Sequence, residues 1–219
     1  MIGVALVVIG AVAAVALRAF RRPSARPLEE QTDAELQRDI SQMLGMSRGI
    51  STAMDKQLSS IELTRYPDAK QLVQETREAI DMQASSLADE LESLHGGGAS
   101  RLKSVAATMA GTAAGLFEAA RTSNVSSMLR DDYTALSMAS VSYTMLHTTG
   151  LSLHRESVAS MAQAHLQQLT PLIVRFGEEL PNVVVTELAR DYALPVDVRV
   201  SQQAVEDIQH AWSRTAMAR

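Results

Sequence analysis

The first seventeen residues, MIGVALVVIGAVAAVAL, contain no charged or strongly polar side chain. A helix of this length covers about 25 Å, and extension to Phe20 gives about 30 Å, the thickness of a bilayer's hydrocarbon core. Four positive charges follow the run: Arg18, Arg21, Arg22 and Arg26. A cleavable signal peptide carries its positive charge before the apolar run. We therefore expect residues 1–20 to form an uncleaved transmembrane anchor, in preference to a signal peptide or a buried soluble helix.

The orientation of this anchor follows from the same charges. Positive residues beside a membrane span remain in the cytoplasm, so the four arginines predict a cytoplasmic membrane interface and an N-terminus outside. Gly10 and Ala14 have the spacing that allows close approach of two membrane helices, although small residues are also common in spans without such a contact. The expected location is the inner membrane of a bacterium, crossed once.

The rest of the chain is acidic. The net charge is −5 and four arginines precede the first acidic residue, Glu29, which leaves −9 for residues 27–219. An acidic body argues against nucleic acid as a partner, because such binding relies on Lys and Arg at phosphates. The absence of cysteine excludes a disulfide scaffold, a cysteine-bound iron–sulfur site and a thiol nucleophile.

The pattern beyond the anchor is helical. Aromatic residues make up only 4% of the chain, and apolar residues recur at steps of three and four. A linker is expected over 21–31, a helical bundle over 32–190, and an extended strap with a last helix over 191–219. The helices are predicted to begin at or near the capping residue Thr32, Asp68, Ser100, Ser126, Arg155, Pro181 and Ser201. The helix from Asp68 is expected to end at Leu94, and the helix from Ser126 at Leu153. A kink is expected at Pro171 in the helix that begins near Arg155.

Two of these segments carry further expectations. The fourth helix is uncharged from Tyr133 to Leu153, which predicts a central position in the bundle and leaves open a second membrane span. In the run 192–200, valines alternate with Asp197 and Arg199, which predicts an extended strap or docking edge. The fold class expected is all-α, an antiparallel helical bundle preceded by one transmembrane helix.

The layout of these helices resembles the ferritin-like superfamily, and in particular bacterial ferritin-like proteins of unknown function. The resemblance covers roughly residues 33–190 and rests on two segments. One leads from 74–76 (QET) through 87–91 (LADEL) to a glycine stop, and the other leads from Asp132-Tyr133 through 142–144 (SYT) to Leu151.

The resemblance implies a possible di-metal site made of carboxylates and a Glu-x-x-His pair. Glu92 and His95 have that spacing, and Glu75 and Glu156 are the carboxylates that could join them. The chain departs from the family pattern where inward carboxylates are expected: Ala139, Ser140 and Ser142 on the fourth helix, and Gln167 and Gln168 on the fifth. The expected outcome is a bundle that kept its shape without its metal, with no cofactor.

Several other residue groups have both a functional and an ordinary interpretation. His147 and His165 could be ligands or proton carriers, but are expected to be core histidines, His147 hydrogen-bonded to a neighbouring hydroxyl. The glycine-rich turn 95–103 could bind an anion at a helix N-terminus, but a flexible turn explains it. Met43, Met46 and Met54 are expected to fill the core, and Asp207 and His210 to lie on a solvated face. No catalytic group is predicted.

These observations favour a non-enzymatic scaffold or accessory subunit that docks on a larger bacterial membrane complex, of respiratory or photosynthetic type. Its expected partners are other membrane protein subunits and the lipid bilayer, with no nucleic acid and no small-molecule substrate. The alternative is a membrane-tethered ferritin-like protein handling iron or peroxide. A third interpretation is a lipid-binding module that uses the basic linker.

Overall fold

The computed structural model describes residues 28–94 and 124–217, with side chains described over 31–94 and 124–211. The chain divides into two compact units, Met1–Ala34 and Glu35–Arg219. The predicted anchor (1–20), its arginines, the Gly10 and Ala14 pair, the glycine-rich turn and the helix expected from Ser100 lie outside the described residues.

The described residues are helical with short connections and contain no strand. The helices are α1 Leu28–Leu58, α2 Ile61–Thr64, α3 Pro67–Leu94, α4 Val125–Ser152, α5 Glu156–Arg190 and α6 Val200–Met217. The prediction of an all-helical bundle is confirmed for this part of the chain. Among these helices, none is long and apolar enough to cross a membrane.

The first helix begins earlier than predicted. Helix α1 starts at Leu28, so Thr32 lies within it and the segment 28–31, predicted as linker, is helical. At its other end α1 stops at Leu58, and Ser60 then caps the single turn of α2 by accepting a hydrogen bond from the Glu62 amide.

Helices α1 and α3 run antiparallel. Gln37 near the start of α1 donates to the carbonyl oxygen of Leu94 at the end of α3, at 2.9 Å. Further along α1, Ser51 donates to Asp81 at 2.6 Å.

Helix α5 runs antiparallel to both α3 and α4. Ser157 at its start donates to Glu90 near the end of α3 at 2.8 Å. At its other end, Glu187 accepts hydrogen bonds from the backbone N–H and the hydroxyl of Ser126 at the start of α4, at 2.9 and 2.6 Å. Helices α3 and α4 are therefore parallel to each other.

One hydrophobic core joins α1, α3, α4 and α5. Its largest fully buried side chains are Tyr143, Phe176, Leu36, Ile40, Ile50, Met54, Leu63, Ile80, Leu87, Leu91, Leu129 and Leu136. Met43 and Met54 are buried and Met46 packs against the core, as predicted for the methionine-rich stretch. The apolar faces that the sequence predicted for these helices thus point to a common interior.

Helix α5 is continuous from Glu156 to Arg190 with both Pro171 and Pro181 inside it. The prediction that Pro181 begins a separate helix is therefore wrong. Each proline removes one backbone hydrogen bond, but buried side chains such as Phe176 and Val183 pack on either side of Pro181 and hold the helix together.

Helices α4 and α5 meet in a tight hairpin. A Cβ atom added to Gly150 would lie 2.8 Å from the backbone nitrogen of Ala159, so the close approach requires glycine. His154 in the connection adopts φ 55°, the left-handed conformation that reverses the chain.

The run 192–200, predicted as an extended strap or docking edge, contains no strand: residues 193–197 have no regular secondary structure, and a turn follows them. Asp197 accepts hydrogen bonds from the backbone N–H of Arg199 at 3.0 Å and from its guanidinium at 2.8 and 2.9 Å. The carbonyl of Asp197 also accepts from the Val200 amide at 3.2 Å, which closes a turn into α6. Because no neighbouring strand is present among the described residues, local side-chain bonding replaces ladder pairing.

The composition of α4 predicted a central position in the bundle. The described helices, however, do not enclose α4 on all sides. Its outer face exposes Met138, Val141 and Met145 by 40, 62 and 58%. The opposite face is buried, with Leu136, Ala139 and Tyr143 in the core. The uncharged sequence therefore reflects one face in the core and a second, exposed apolar face.

Candidate functional site

The middle of the bundle contains a layer of buried polar side chains, one from each of four helices. Ser47 on α1, Gln83 on α3, Tyr143 on α4 and His165 on α5 are all at most 4% exposed. The rings of Tyr143 and His165 meet edge to face with centroids 4.9 Å apart. Gln83 donates to the carbonyl oxygen of His165 at 3.4 Å and to the side chain of Gln168 at 3.1 Å. We call these four residues the polar layer.

The polar layer is incompletely hydrogen-bonded. Gln83 Oε1, Tyr143 Oη and His165 Nδ1 are buried and make no hydrogen bond with the described part of the chain. A buried polar atom without a partner costs about 1–3 kcal/mol, so such atoms are uncommon at the centre of a core. Their presence marks this layer as the position where the bundle departs most from simple apolar packing.

Burial dominates the protonation behaviour of the layer. It lowers the pKa of His165 to about 4, so the imidazole is neutral at physiological pH. Burial also raises the pKa of Tyr143 to about 12, an effect that the Ser47 hydroxyl partly offsets, although the two oxygens do not meet hydrogen-bond geometry. The layer therefore presents neutral groups: a hydroxyl, a phenol, a carboxamide and an imidazole.

The layer offers few metal ligands. A di-metal carboxylate site needs about four acidic side chains in addition to histidine. Among the four residues of the layer only His165 is a common metal ligand, and its Gln neighbours on α3 and α5 are neutral carboxamides. The sequence identified His165 and Gln168 as residues of interest but did not bring Gln83, Tyr143 and Ser47 to the same layer.

The acidic residues proposed from the ferritin-like resemblance lie elsewhere. Glu75 is part-exposed and pairs with Arg175 across 2.5 Å, and it also accepts from Gln71 at 2.7 Å. The Arg175 hydrogen bond, with help from Gln71, lowers the pKa of Glu75. Glu75 therefore takes part in a surface ion pair between α3 and α5.

Glu92 and Glu156 are exposed at the other end of the bundle. Glu92 follows Glu75 by seventeen residues on the same helix, which separates them by about 25 Å. Glu156 is the first residue of α5, next to Ser157, which bonds to Glu90. The structure thus brings Glu156 near the end of α3 that carries Glu92 but separates both from Glu75. His95 lies outside the described residues.

No group of three or more His, Asp or Glu side chains with metal-binding geometry occurs within residues 28–94 and 124–217. Asp207 is exposed on α6, as is His210.

His147 is half-buried, and its Nδ1 lies 2.8 Å from the carbonyl oxygen of Ala159, to which it donates. The partner of His147 is thus a backbone carbonyl of the α4–α5 hairpin and not the hydroxyl that the sequence suggested.

A second buried polar contact escaped sequence analysis. Gln57 on α1 donates from Nε2 to Asp132 Oδ1 on α4 at 2.9 Å, and the two residues are 7 and 1% exposed. Gln57 Oε1 and Asp132 Oδ2 have no hydrogen-bond partner in the described structure. Burial raises the pKa of Asp132 to about 7. In sequence, Asp132 appears as one of two adjacent acids at the start of a helix, which gives no sign of burial.

The main exposed apolar surface outside α4 lies around the α5–α6 connection. It consists of Tyr192, Leu194, Val198 and Val200, which are 47–61% exposed, and we call these four residues the connection surface. The backbone there bonds to the end of α5: the Leu194 amide donates to the Leu188 carbonyl at 2.9 Å, and Ala193 adopts φ 50°. The connection surface is therefore joined by backbone hydrogen bonds to the end of α5 and, through the Asp197–Val200 turn, to the start of α6.

Comparison with protein families, curated protein sequences and solved structures finds no match to this chain.

Proposed function

We propose that this chain is a non-enzymatic, membrane-anchored scaffold or accessory subunit of a larger bacterial membrane protein complex. The observation that carries the proposal is the connection surface, four exposed apolar side chains around the connection between α5 and α6. Clustered exposed apolar side chains are typical of protein interaction sites, whereas scattered ones are not. The complex would be of respiratory or photosynthetic type.

The uncharged N-terminal run of residues 1–20 supports the membrane part of the proposal. In this arrangement it crosses the bacterial inner membrane once, with its N-terminus outside, and Arg18, Arg21, Arg22 and Arg26 lie at the cytoplasmic interface. Gly10 and Ala14 would let the span pack closely against a transmembrane helix of a partner subunit. The bundle would then lie on the cytoplasmic side.

The composition of the polar layer supports a structural role. In the ferritin-like arrangement that the sequence resembles, the middle of the bundle is the place for metal ligands. In this chain that place holds Ser47, Gln83, Tyr143 and His165, and the carboxylates Glu75 and Glu92 lie about 25 Å apart. We propose that the chain is a degenerate ferritin-like bundle whose shape serves assembly.

The test is a double substitution on the connection surface, Leu194→Asp with Val198→Asp, in the full chain extracted with mild detergent. The expected result is loss of co-purifying membrane subunits with unchanged helical content, because two charges would be buried in the interface. The control is Met82→Asp, which places a charge at an equally exposed apolar position on α3. Equal recovery of the same subunits with both variants would contradict the assignment of this surface.

A further inference from the structure

The outer face of α4 is an exposed stripe with the spacing of a helix-pairing surface. Its members recur at steps of four and three residues and are all exposed: Thr134, Met138, Val141, Met145 and Thr148. We call these five residues the α4 outer face. Alternating steps of three and four are the pattern by which one helix packs along another. On α3, by contrast, the exposed positions from 71 to 89 are polar with one exception, Met82.

The α4 outer face can leave water without losing hydrogen bonds. The body of the chain is acidic, but residues 133–153 contain no Asp, Glu, Lys or Arg. The hydroxyls of Thr134 and Thr148 donate to the carbonyl oxygens four residues earlier, at 2.9 Å each. Because these donors are satisfied within their own helix, burial of the face leaves neither hydroxyl without a partner. The face is therefore suited to a dry contact with another uncharged surface.

The side chains of the α4 outer face have the same order in both directions: Thr, Met, Val, Met, Thr. Thr134 and Thr148 lie seven residues before and after Val141. Met138 lies three residues before Val141, and Met145 lies four residues after it. A two-fold axis at Val141 therefore brings Met138 within about 1.5 Å of the level of Met145 on a second copy. Such self-complementarity is what an isologous interface between identical chains requires.

The charges at the ends of α4 favour an antiparallel pair. The last turn of α4 holds no basic residue, and positive charge stabilises the carbonyl end of a helix. Arg130, whose side chain is 60% exposed, precedes Val141 by eleven residues, and Ser152, where α4 ends, follows it by eleven. An antiparallel pair therefore sets each Arg130 level with the carbonyl end of the other α4. A parallel pair would place the two Arg130 side chains beside each other.

We propose that the α4 outer face is a dimerisation surface, which pairs with the same face of a second copy of this chain, antiparallel about an axis at Val141. The contact from Thr134 to Thr148 covers about 21 Å, or about four turns of helix. A contact of this length falls below the about 800 Å² per partner of a standard interface, so the dimer should dissociate in the micromolar range. The proposal involves none of the residues of the connection surface and does not depend on the function proposed for it.

Engineered cysteines test the pairing directly, because the chain contains no natural cysteine. Val141→Cys, on the proposed axis, should form a disulfide between two copies when the full chain is oxidised in mild detergent. The control is Met82→Cys on α3, because Met82 and Val141 are both 62% exposed. A disulfide requires Cα atoms about 4.4–6.8 Å apart, so the control should give at least about tenfold less cross-linked dimer.

Two further variants test the antiparallel register. Met138→Cys and Met145→Cys should each cross-link poorly when oxidised alone, because an antiparallel pair separates identical positions by about 9–12 Å along the helix. An equimolar mixture of the two variants should form the mixed disulfide, identified by mass spectrometry. Efficient cross-linking of each variant alone, without the mixed product, would mean a parallel pair and would overturn the proposed arrangement.

The rate of thiol labelling does not depend on disulfide geometry. For a dissociation constant of about 10 µM, a bulky maleimide should label Val141→Cys about fourfold more slowly at about 100 µM protein than at about 1 µM. The rate at Met82→Cys should not change. Equal cross-linking of the two variants would overturn the proposal, as would the absence of a disulfide at Val141→Cys. Slow labelling of Val141→Cys at every concentration would also overturn it, since the occupant would then be another part of the same chain or a different protein.

Discussion

Gln57 and Asp132 form a buried hydrogen bond of 2.9 Å that connects α1 to α4, and each keeps one side-chain oxygen without a partner. A carboxylic acid and a carboxamide can form two hydrogen bonds in a ring, N–H to one oxygen and O–H to the other. Protonated Asp132 can therefore satisfy both atoms that the ionised form leaves unpaired. The raised pKa of Asp132, about 7, agrees with a site that favours the neutral acid.

Asp132→Asn should raise stability at pH 8. Asparagine keeps the oxygen that accepts from Gln57 and adds an N–H group that donates to Gln57 Oε1, so the ring is closed at every pH. The free energy of unfolding, measured by urea titration at pH 8, should increase by roughly 1–3 kcal/mol. Asp89→Asn, at an exposed position on α3, is the control and should change it by less than about 0.5 kcal/mol. A loss of stability in Asp132→Asn would contradict this account.

The pH dependence of stability should contain two opposing contributions. Asp132 has a folded pKa near 7, above its unfolded value of about 3.9, so its contribution is present at low pH and is lost as pH rises toward 7. His165 has a folded pKa near 4, below its unfolded value of about 6.5, so its contribution is present at high pH and is lost as pH falls toward 4. Between about pH 4 and 6.5 the two slopes cancel.

Single variants separate these contributions. In Asp132→Asn, stability should fall as pH is lowered from about 6.5, because only the burial of neutral His165 remains. In His165→Phe, stability should fall as pH is raised from about 4 to 7, because only Asp132 remains. Each slope approaches about 1.4 kcal/mol per pH unit where one proton separates the two states. Denaturant titrations at pH 4.5, 5.5, 6.5 and 7.5 measure both, and slopes of the same sign would refute the assignment.

Removal of the Tyr143 hydroxyl should cost little. Tyr143→Phe deletes a buried Oη that has no hydrogen-bond partner in the described structure, so stability should stay within about 0.5 kcal/mol of the parent or increase. Tyr66→Phe is the matched comparison, because Tyr66 Oη donates to Asp191 at 3.0 Å and its ring lies against the Arg190 guanidinium. This second variant should lose about 1 kcal/mol. A larger loss for Tyr143→Phe than for Tyr66→Phe would show that Tyr143 Oη has a partner.

The α4–α5 hairpin should not tolerate a side chain at Gly150. The added Cβ of Gly150→Ala would lie 2.8 Å from the Ala159 backbone nitrogen and 3.1 Å from its Cα, and neither atom can move without displacing α5. Stability should fall by about 1–3 kcal/mol in thermal or urea unfolding. The adjacent exposed variant Leu151→Ala should change stability by less than about 0.5 kcal/mol. A neutral Gly150→Ala would mean that the helices are farther apart.

The sequence predicted the helices well where a regular apolar stripe coincides with clear end signals. Pro67 and Asp68 at the start of α3 are an example, since proline is favourable in the first turn and cannot continue a preceding helix. Prediction failed at Pro181, because packing of Phe176 and Val183 outweighs one missing hydrogen bond. At 192–200 the alternating valines gave no sign of the turn that the bonds between Asp197 and Arg199 form before α6.

The candidate site was harder to predict than the helices. The polar layer depends on which residues of four separate helices share one height, and periodicity within one helix does not specify that. Asp132 shows the same limit, because its burial depends on contact with Gln57, seventy-five residues away in the chain. The separation of Glu75 from Glu92 is different: both lie on α3, so the distance between them followed from the helical rise alone.

The most direct test of the central claim is purification of the full chain in mild detergent, with metal content and co-purifying chains determined in the same sample. The account predicts membrane protein subunits in fixed stoichiometry, lost in the double variant of Leu194 and Val198, and metal well below one ion per chain. Stoichiometric iron or manganese that disappears on substitution of Glu92, His95 or His165 would contradict it in favour of a metal protein. Recovery of this chain alone would contradict the scaffold function.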